Sequence, residues 1–112
     1  MRTGICTEVL TGDTILLERG RVRVRYSNVW SPAPGSALGD AVKAYNEELV
    51  LGRTLTYQPN GHIHWDGVSI IADVYADDRW VNQALRDWLS ARTEATRWLD
   101  GEPRPADGAH EL

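Results

Sequence analysis

A chain of 112 residues with 42% hydrophobic and 25% charged side chains has room for one ordinary globular domain, which excludes fibrous and disordered classes. A single cysteine, Cys6, excludes an intramolecular disulfide; no apolar run reaches a membrane span of ~20 residues; and Met1-Arg2-Thr3-Gly4 leads into a strand-like segment without a signal-peptide apolar region. Net charge is −4 and pI is near 5.3, which weighs against a dedicated nucleic-acid binder.

In chain order, residues 5–10 and 14–18 are aliphatic and β-branched runs split by Thr11-Gly12-Asp13, a hairpin signal. After a turn at Arg19-Gly20, Arg21-Val22-Arg23-Val24-Arg25-Tyr26 alternates with period two. Val22, Val24 and Tyr26 therefore share one face, and Arg21, Arg23 and Arg25 the other. Eleven of the twelve basic residues are Arg, the mark of a GC-rich genome such as an actinobacterial or phage one. Arg also suits phosphate recognition.

Ser31-Pro32-Ala33-Pro34-Gly35-Ser36 reads as a loop. A helix is expected over 37–51, with Leu38, Ala41, Val42, Tyr45 and Leu49 on its inner side and Gly52 as its terminating glycine. Strands follow near 53–58 and 68–76, around turn signals at Pro59-Asn60-Gly61 and Asp66-Gly67. Asp77 or Asp78 is expected to cap a last helix over 79–99. Its apolar positions span an arc of roughly 180°, wider than the ~100° stripe of a simple surface helix, so two contact surfaces are expected. Residues 1–100 thus form one domain, and 101–112, rich in Pro, Gly and acids, read as a disordered tail.

Three strands, a helix, two strands and a helix spell a β-barrel with helices: a five-stranded Greek-key barrel of the oligonucleotide-binding (OB) type, with a helix between strands three and four and a long C-terminal helix. Over about residues 3–92 the order of motifs resembles the staphylococcal nuclease family. The resemblance rests on Thr11-Gly12-Asp13-Thr14 after the first strand, and on Arg25 in a strand running into Val29-Trp30-Ser31-Pro32-Ala33. It continues with Gly39-Asp40-Ala41 opening the first helix, and closes on Val74-Tyr75-Ala76-Asp77-Asp78-Arg79-Trp80-Val81-Asn82-Gln83-Ala84-Leu85.

The family's calcium-dependent phosphodiester hydrolysis uses two metal-binding aspartates, a glutamate base and two arginines. The resemblance keeps Asp13, Thr14 and Arg25 as remnants of that site. Its second aspartate falls on Trp30, its base on Ala33, and its second arginine near Val68 or Ser69. Calcium takes six to eight oxygen ligands, so a lone Asp13 would hold it weakly. A degenerate member is expected, with no catalytic residues, no cofactor and no metal.

Each group has a second reading. Asp13 and Thr14 also suit a plain turn. The Arg21, Arg23, Arg25 stripe is either a phosphate track or a solvated strand face paired with Glu18 and neighbouring acids. Trp30 is a stacking platform, a partner anchor or a plug in the former metal site. His62 and His64 alternate beside Asp66, but no fixed third ligand is evident. Trp80 and Trp98 align five helical turns apart with Trp88 on the same helix, which would suit a seam for another copy of the chain or another partner; the alternative is packing on the chain's own barrel and first helix.

The reading that follows is a non-catalytic binding module, for a protein partner or single-stranded nucleic acid, in the cytoplasm and without a membrane partner. Its rival is a weak or altered metal-dependent phosphodiesterase built on Asp13, Arg25 and either Asp40 or the histidine pair.

Overall fold

The computed structural model describes residues 1–61 and 64–99, of which 93–99 are described as helical backbone. The strands are β1 (Arg2–Val9), β2 (Thr14–Leu17), β3 (Val22–Tyr26), β4 (Thr54–Pro59), β5 (Ile70–Ala76) and a short β6 (Arg79–Trp80); the helices are α1 (Ala37–Val50) and α2 (Val81–Leu99). β1 is shared: its first half pairs antiparallel with β4 and its second half with β2, across a register shift between Cys6 and Glu8. β2 pairs antiparallel with β3, and β4 with β5. A parallel pairing of β3 with β5, Val24 opposite Ile70, closes the ring. The result is a closed five-stranded OB-like barrel, with β6 hooked onto β5 outside it.

The barrel interior follows the alternation. Cys6, Ile15, Leu17, Val24, Tyr26, Leu55, Val74 and Ala72 are almost wholly buried, and α1 and α2 add Val42, Leu49, Val50, Val81, Leu85 and Leu89. Two asparagines sit fully buried in this core. Asn46 of α1 accepts from the Tyr26 hydroxyl at 2.6 Å and donates to the Thr11 carbonyl at 3.0 Å. Asn82 of α2 accepts from Val74 N–H at 2.9 Å and donates to the carbonyls of Ser27 and Ala72. Each amide ties a helix to the strands, pairing the Thr11 carbonyl and the Val74 N–H and giving the carbonyls of Ser27 and Ala72 a second partner.

Local chemistry sets the element ends. Ser36 caps α1, its hydroxyl accepting from Gly39 N–H at 3.0 Å. The helix ends in a type II turn, Leu51 at φ −63°, ψ 127° and Gly52 at φ +78°, closed by Arg53 N–H to the Val50 carbonyl. The inner face of α1 is rotated from the expected one: Ala41 is exposed, while Gly39, Val42, Asn46, Leu49 and Val50 are buried.

Asp77 and Asp78 do not cap α2. They form the two-residue loop joining β5 to β6, with Ala76 opposite Arg79 and Asp77 at φ +54°. Aspartate is common both at caps and in left-handed turns, and here the turn prevails. Trp80 accordingly lies in β6, ahead of α2, so it does not share a helical seam with Trp98, whose side chain lies outside the described residues. Trp88 meets α1 instead: its ring stacks on Tyr45 with centroids 5.4 Å apart, and the Arg92 guanidinium lies 3.9 Å from its centroid. Within the described residues the two surfaces of α2 are the barrel, through β5, and α1. The expected tail, 101–112, lies outside the description.

Burial pushes the Cys6 thiol up to about 11 and the Tyr26 hydroxyl, which also faces Cys6, well above its ordinary value. A raised value stabilises the fold fully below the ordinary thiol value of 9.0, and that stabilisation is lost as pH rises toward 11. We expect native Cys6 to resist thiol reagents at neutral pH. Unfolding free energies from denaturant titrations between pH 9 and 11 should fall by about 1.4 kcal/mol per pH unit for this one thiol, and Cys6→Ala should flatten that slope. Rapid labelling of the native protein would contradict this.

Candidate binding face

β3 carries Arg21, Arg23 and Arg25 away from the core, as the alternation requires: Arg21 and Arg23 are exposed and Arg25 is half-buried, whereas Val24 and Tyr26 face inward. Leu16 of β2 lies opposite Arg23, and Thr14 opposite Arg25. On the other flank, Ile71 of β5 lies opposite Arg25. Glu18 does not pair with the stripe, because its carboxylate accepts from Ile5 N–H at 2.7 Å. Among the described residues the Arg21 side chain has no hydrogen-bond or ion-pair partner. It borders an open groove of about 480 Å³ lined also by Ile5, Thr7, Glu18 and Arg19.

The β4–β5 connection folds back along this face. Asp66 accepts from the backbone of Val68 at 2.9 Å and of Ser69 at 2.6 Å, making a tight turn through Gly67 at φ +96°. The turn places the Asp66 carboxylate 3.2 Å from Arg25 Nε, and the Ser69 hydroxyl accepts from Arg23 Nε at 3.0 Å. Asp66 is held below its usual carboxylate value by the Ser69 and Val68 N–H groups first and by Arg25 after them. That contribution exists above the ordinary value of 3.8 and is lost as pH falls below it. Trp65, next to Asp66, is 56% exposed.

The Arg25 end of the stripe also meets the β1–β2 turn, where the Asp13 carbonyl accepts from Tyr26 N–H at 2.9 Å. Both oxygens of Asp13 are engaged by its own surroundings: Oδ1 accepts from the hydroxyls of Thr11 at 2.8 Å and Thr14 at 2.9 Å, and Oδ2 accepts from Ser31 N–H at 3.3 Å. Gly12 packs so closely beneath that loop that a Cβ would run into the Ser31 hydroxyl and a Val42 methyl. Trp30, one residue before Ser31, is 74% exposed, so it does not plug the turn. Ala33 is exposed and its carbonyl accepts from Ser36.

The fold brings Asp66 and Ser69 of the β4–β5 connection to the arginines that the alternation marks, although in the sequence Asp66 reads with the histidines. Only the nearness of Asp66-Gly67 to a turn hinted at this. His62 lies outside the described residues; among those described, no three His, Cys, Asp or Glu side chains gather as a metal site. Trp80 sits apart from the stripe, its indole N–H donating to Asp73 at 3.2 Å and its ring 5.0 Å from the Arg86 guanidinium.

Fold and face together define a small closed OB-like barrel whose β3 turns arginines outward, with tryptophans exposed in the loop after β3 and in the β4–β5 connection. No protein-family model matches the chain, and no curated protein matches it. Among the described residues no helix is long and apolar enough to cross a membrane.

Proposed function

We propose that this chain is a non-catalytic binding module that takes single-stranded nucleic acid along the outer face of β3. One observation carries the reading: three alternate arginines leave β3 outward, with exposed Trp30 in the loop after that strand and exposed Trp65 next to the Asp66 that meets Arg25. Alternate residues on a strand repeat every ~6.7 Å, so the guanidinium groups form a linear track for a phosphate backbone. Tryptophan rings beside such a track stack on bases of any sequence, each worth about 1–3 kcal/mol. In OB-type barrels the strand 2–3 face with its bordering loops is the habitual ligand surface. The acidic net charge is not an obstacle, because attraction follows the local distribution of charge.

The likeness to the staphylococcal nuclease family remains part of this proposal, with the hydrolytic site lost. What supports the loss is the state of Asp13: its carboxylate serves the turn through three hydrogen bonds, and Trp30 and Ala33 offer no oxygen ligand or base beside it. We expect labelled single-stranded DNA to survive incubation with the protein and calcium while being bound by it. Trp30→Ala should weaken that binding about tenfold or more, the equivalent of one stacked base. Calcium-dependent digestion abolished by Asp13→Ala would overturn the reading in favour of a phosphodiesterase.

A further inference from the structure

We propose that Asp66 is a built-in competitor for the anion that Arg25 would receive, an autoinhibitory contact within the binding face. The inference rests on the single-strand reading above and adds a regulatory element to it. Arg25 is the last arginine of β3, and among the described residues it alone of the three is ion-paired to a carboxylate, 3.2 Å from its Nε. The same short turn also occupies Arg23, through Ser69. Two of the three arginines are thus engaged by residues 66–69 before any ligand arrives.

The pairing is built to be exchanged. Both side chains reach solvent, Arg25 at 43% and Asp66 at 28% exposure, so the attraction is screened and weak. Among the described residues, Arg25 Nε is shielded from water yet makes no directional hydrogen bond with Asp66 or another group, so the pair lacks the bidentate fork of a well-placed anion. A backbone phosphate, offering oxygens in a plane Arg matches, satisfies those donors where the carboxylate does not. Asp66 meanwhile keeps its Oδ1 bonds to Val68 and Ser69, so the turn has its own support when the ion pair opens.

The test is titration of a labelled oligothymidylate with wild type, Asp66→Asn and Asp66→Ser. Both variants retain an acceptor for the turn and remove the charge. Glu48→Gln, on the exposed side of α1, removes one charge elsewhere. At low salt both Asp66 variants should bind about three- to fivefold more tightly, the range of an exposed ion pair, with Glu48→Gln nearly unchanged. Their salt dependence should steepen by about 0.7 in log–log slope, one additional phosphate contact on a single strand. Equal or weaker binding by the Asp66 variants, or the same gain from Glu48→Gln, overturns the competitor while leaving the binding face standing. Absence of binding by every protein in the set overturns both.

Discussion

Replacing Asn82 by alanine should lower stability by about 2 kcal/mol. The side chain is fully buried and serves three backbone groups: Val74 N–H and the carbonyls of Ser27 and Ala72. Truncation orphans the buried Val74 N–H, whereas the Ala72 carbonyl keeps Ser27 N–H at 2.8 Å and the Ser27 carbonyl keeps Arg86 at 3.3 Å. The orphaned group costs roughly 1–3 kcal/mol, offset in part if water enters the small cavity. For a domain of this size the loss is equivalent to a fall of about 10 °C in melting temperature. Because Asn82 joins α2 to the ends of β3 and β5, the same substitution should loosen α2 first, detectable as faster amide exchange there. A variant melting within about two degrees of wild type would show that α2 is held by its apolar face alone.

The second large effect concerns binding. Changing Arg21, Arg23 and Arg25 together to alanine should lower affinity for single-stranded DNA by about a hundredfold at low salt, taking ~1 kcal/mol for each exposed charge contact. The fold should survive, because all three side chains point away from the core and only one ion pair is lost. Melting temperature and binding therefore separate the two roles: Asn82→Ala melts early, whereas the arginine variant melts like wild type and fails to bind.

Much of this architecture was legible before the coordinates. Turn residues such as Gly12 and Gly20 divide the strands, the Arg/Val alternation of β3 fixes its two faces, and the Pro- and Gly-containing loop 31–36 marks where α1 begins. The misreadings have local causes. Asp77 and Asp78 carry equal signals for a helix cap and for a left-handed turn, and only the pairing of Ala76 with Arg79 decides between them. Placing Trp80 outside α2 then removes the angular alignment with Trp98. Buried amides were overlooked because asparagine usually faces water, although Asn46 falls four residues after Val42 and Asn82 three before Leu85, on the apolar side of each helix. The contact of Asp66 with Arg25 joins residues far apart in the chain, and no periodicity could have brought them together.

The most direct measurement of the central claim is the salt dependence of wild-type binding to a labelled oligothymidylate, followed by anisotropy and by tryptophan emission. With Arg25 offset by Asp66, two phosphate contacts on a single strand give a log–log slope of about −1.4 for wild type, so raising salt from about 50 to 200 mM should weaken binding roughly sevenfold. Tryptophan emission should be quenched over the same concentrations, through Trp30 and Trp65. Saturable binding with that slope, absent in the triple arginine variant, is the predicted result. No saturable binding at low salt, or binding whose strength ignores both salt and the arginines, would contradict it.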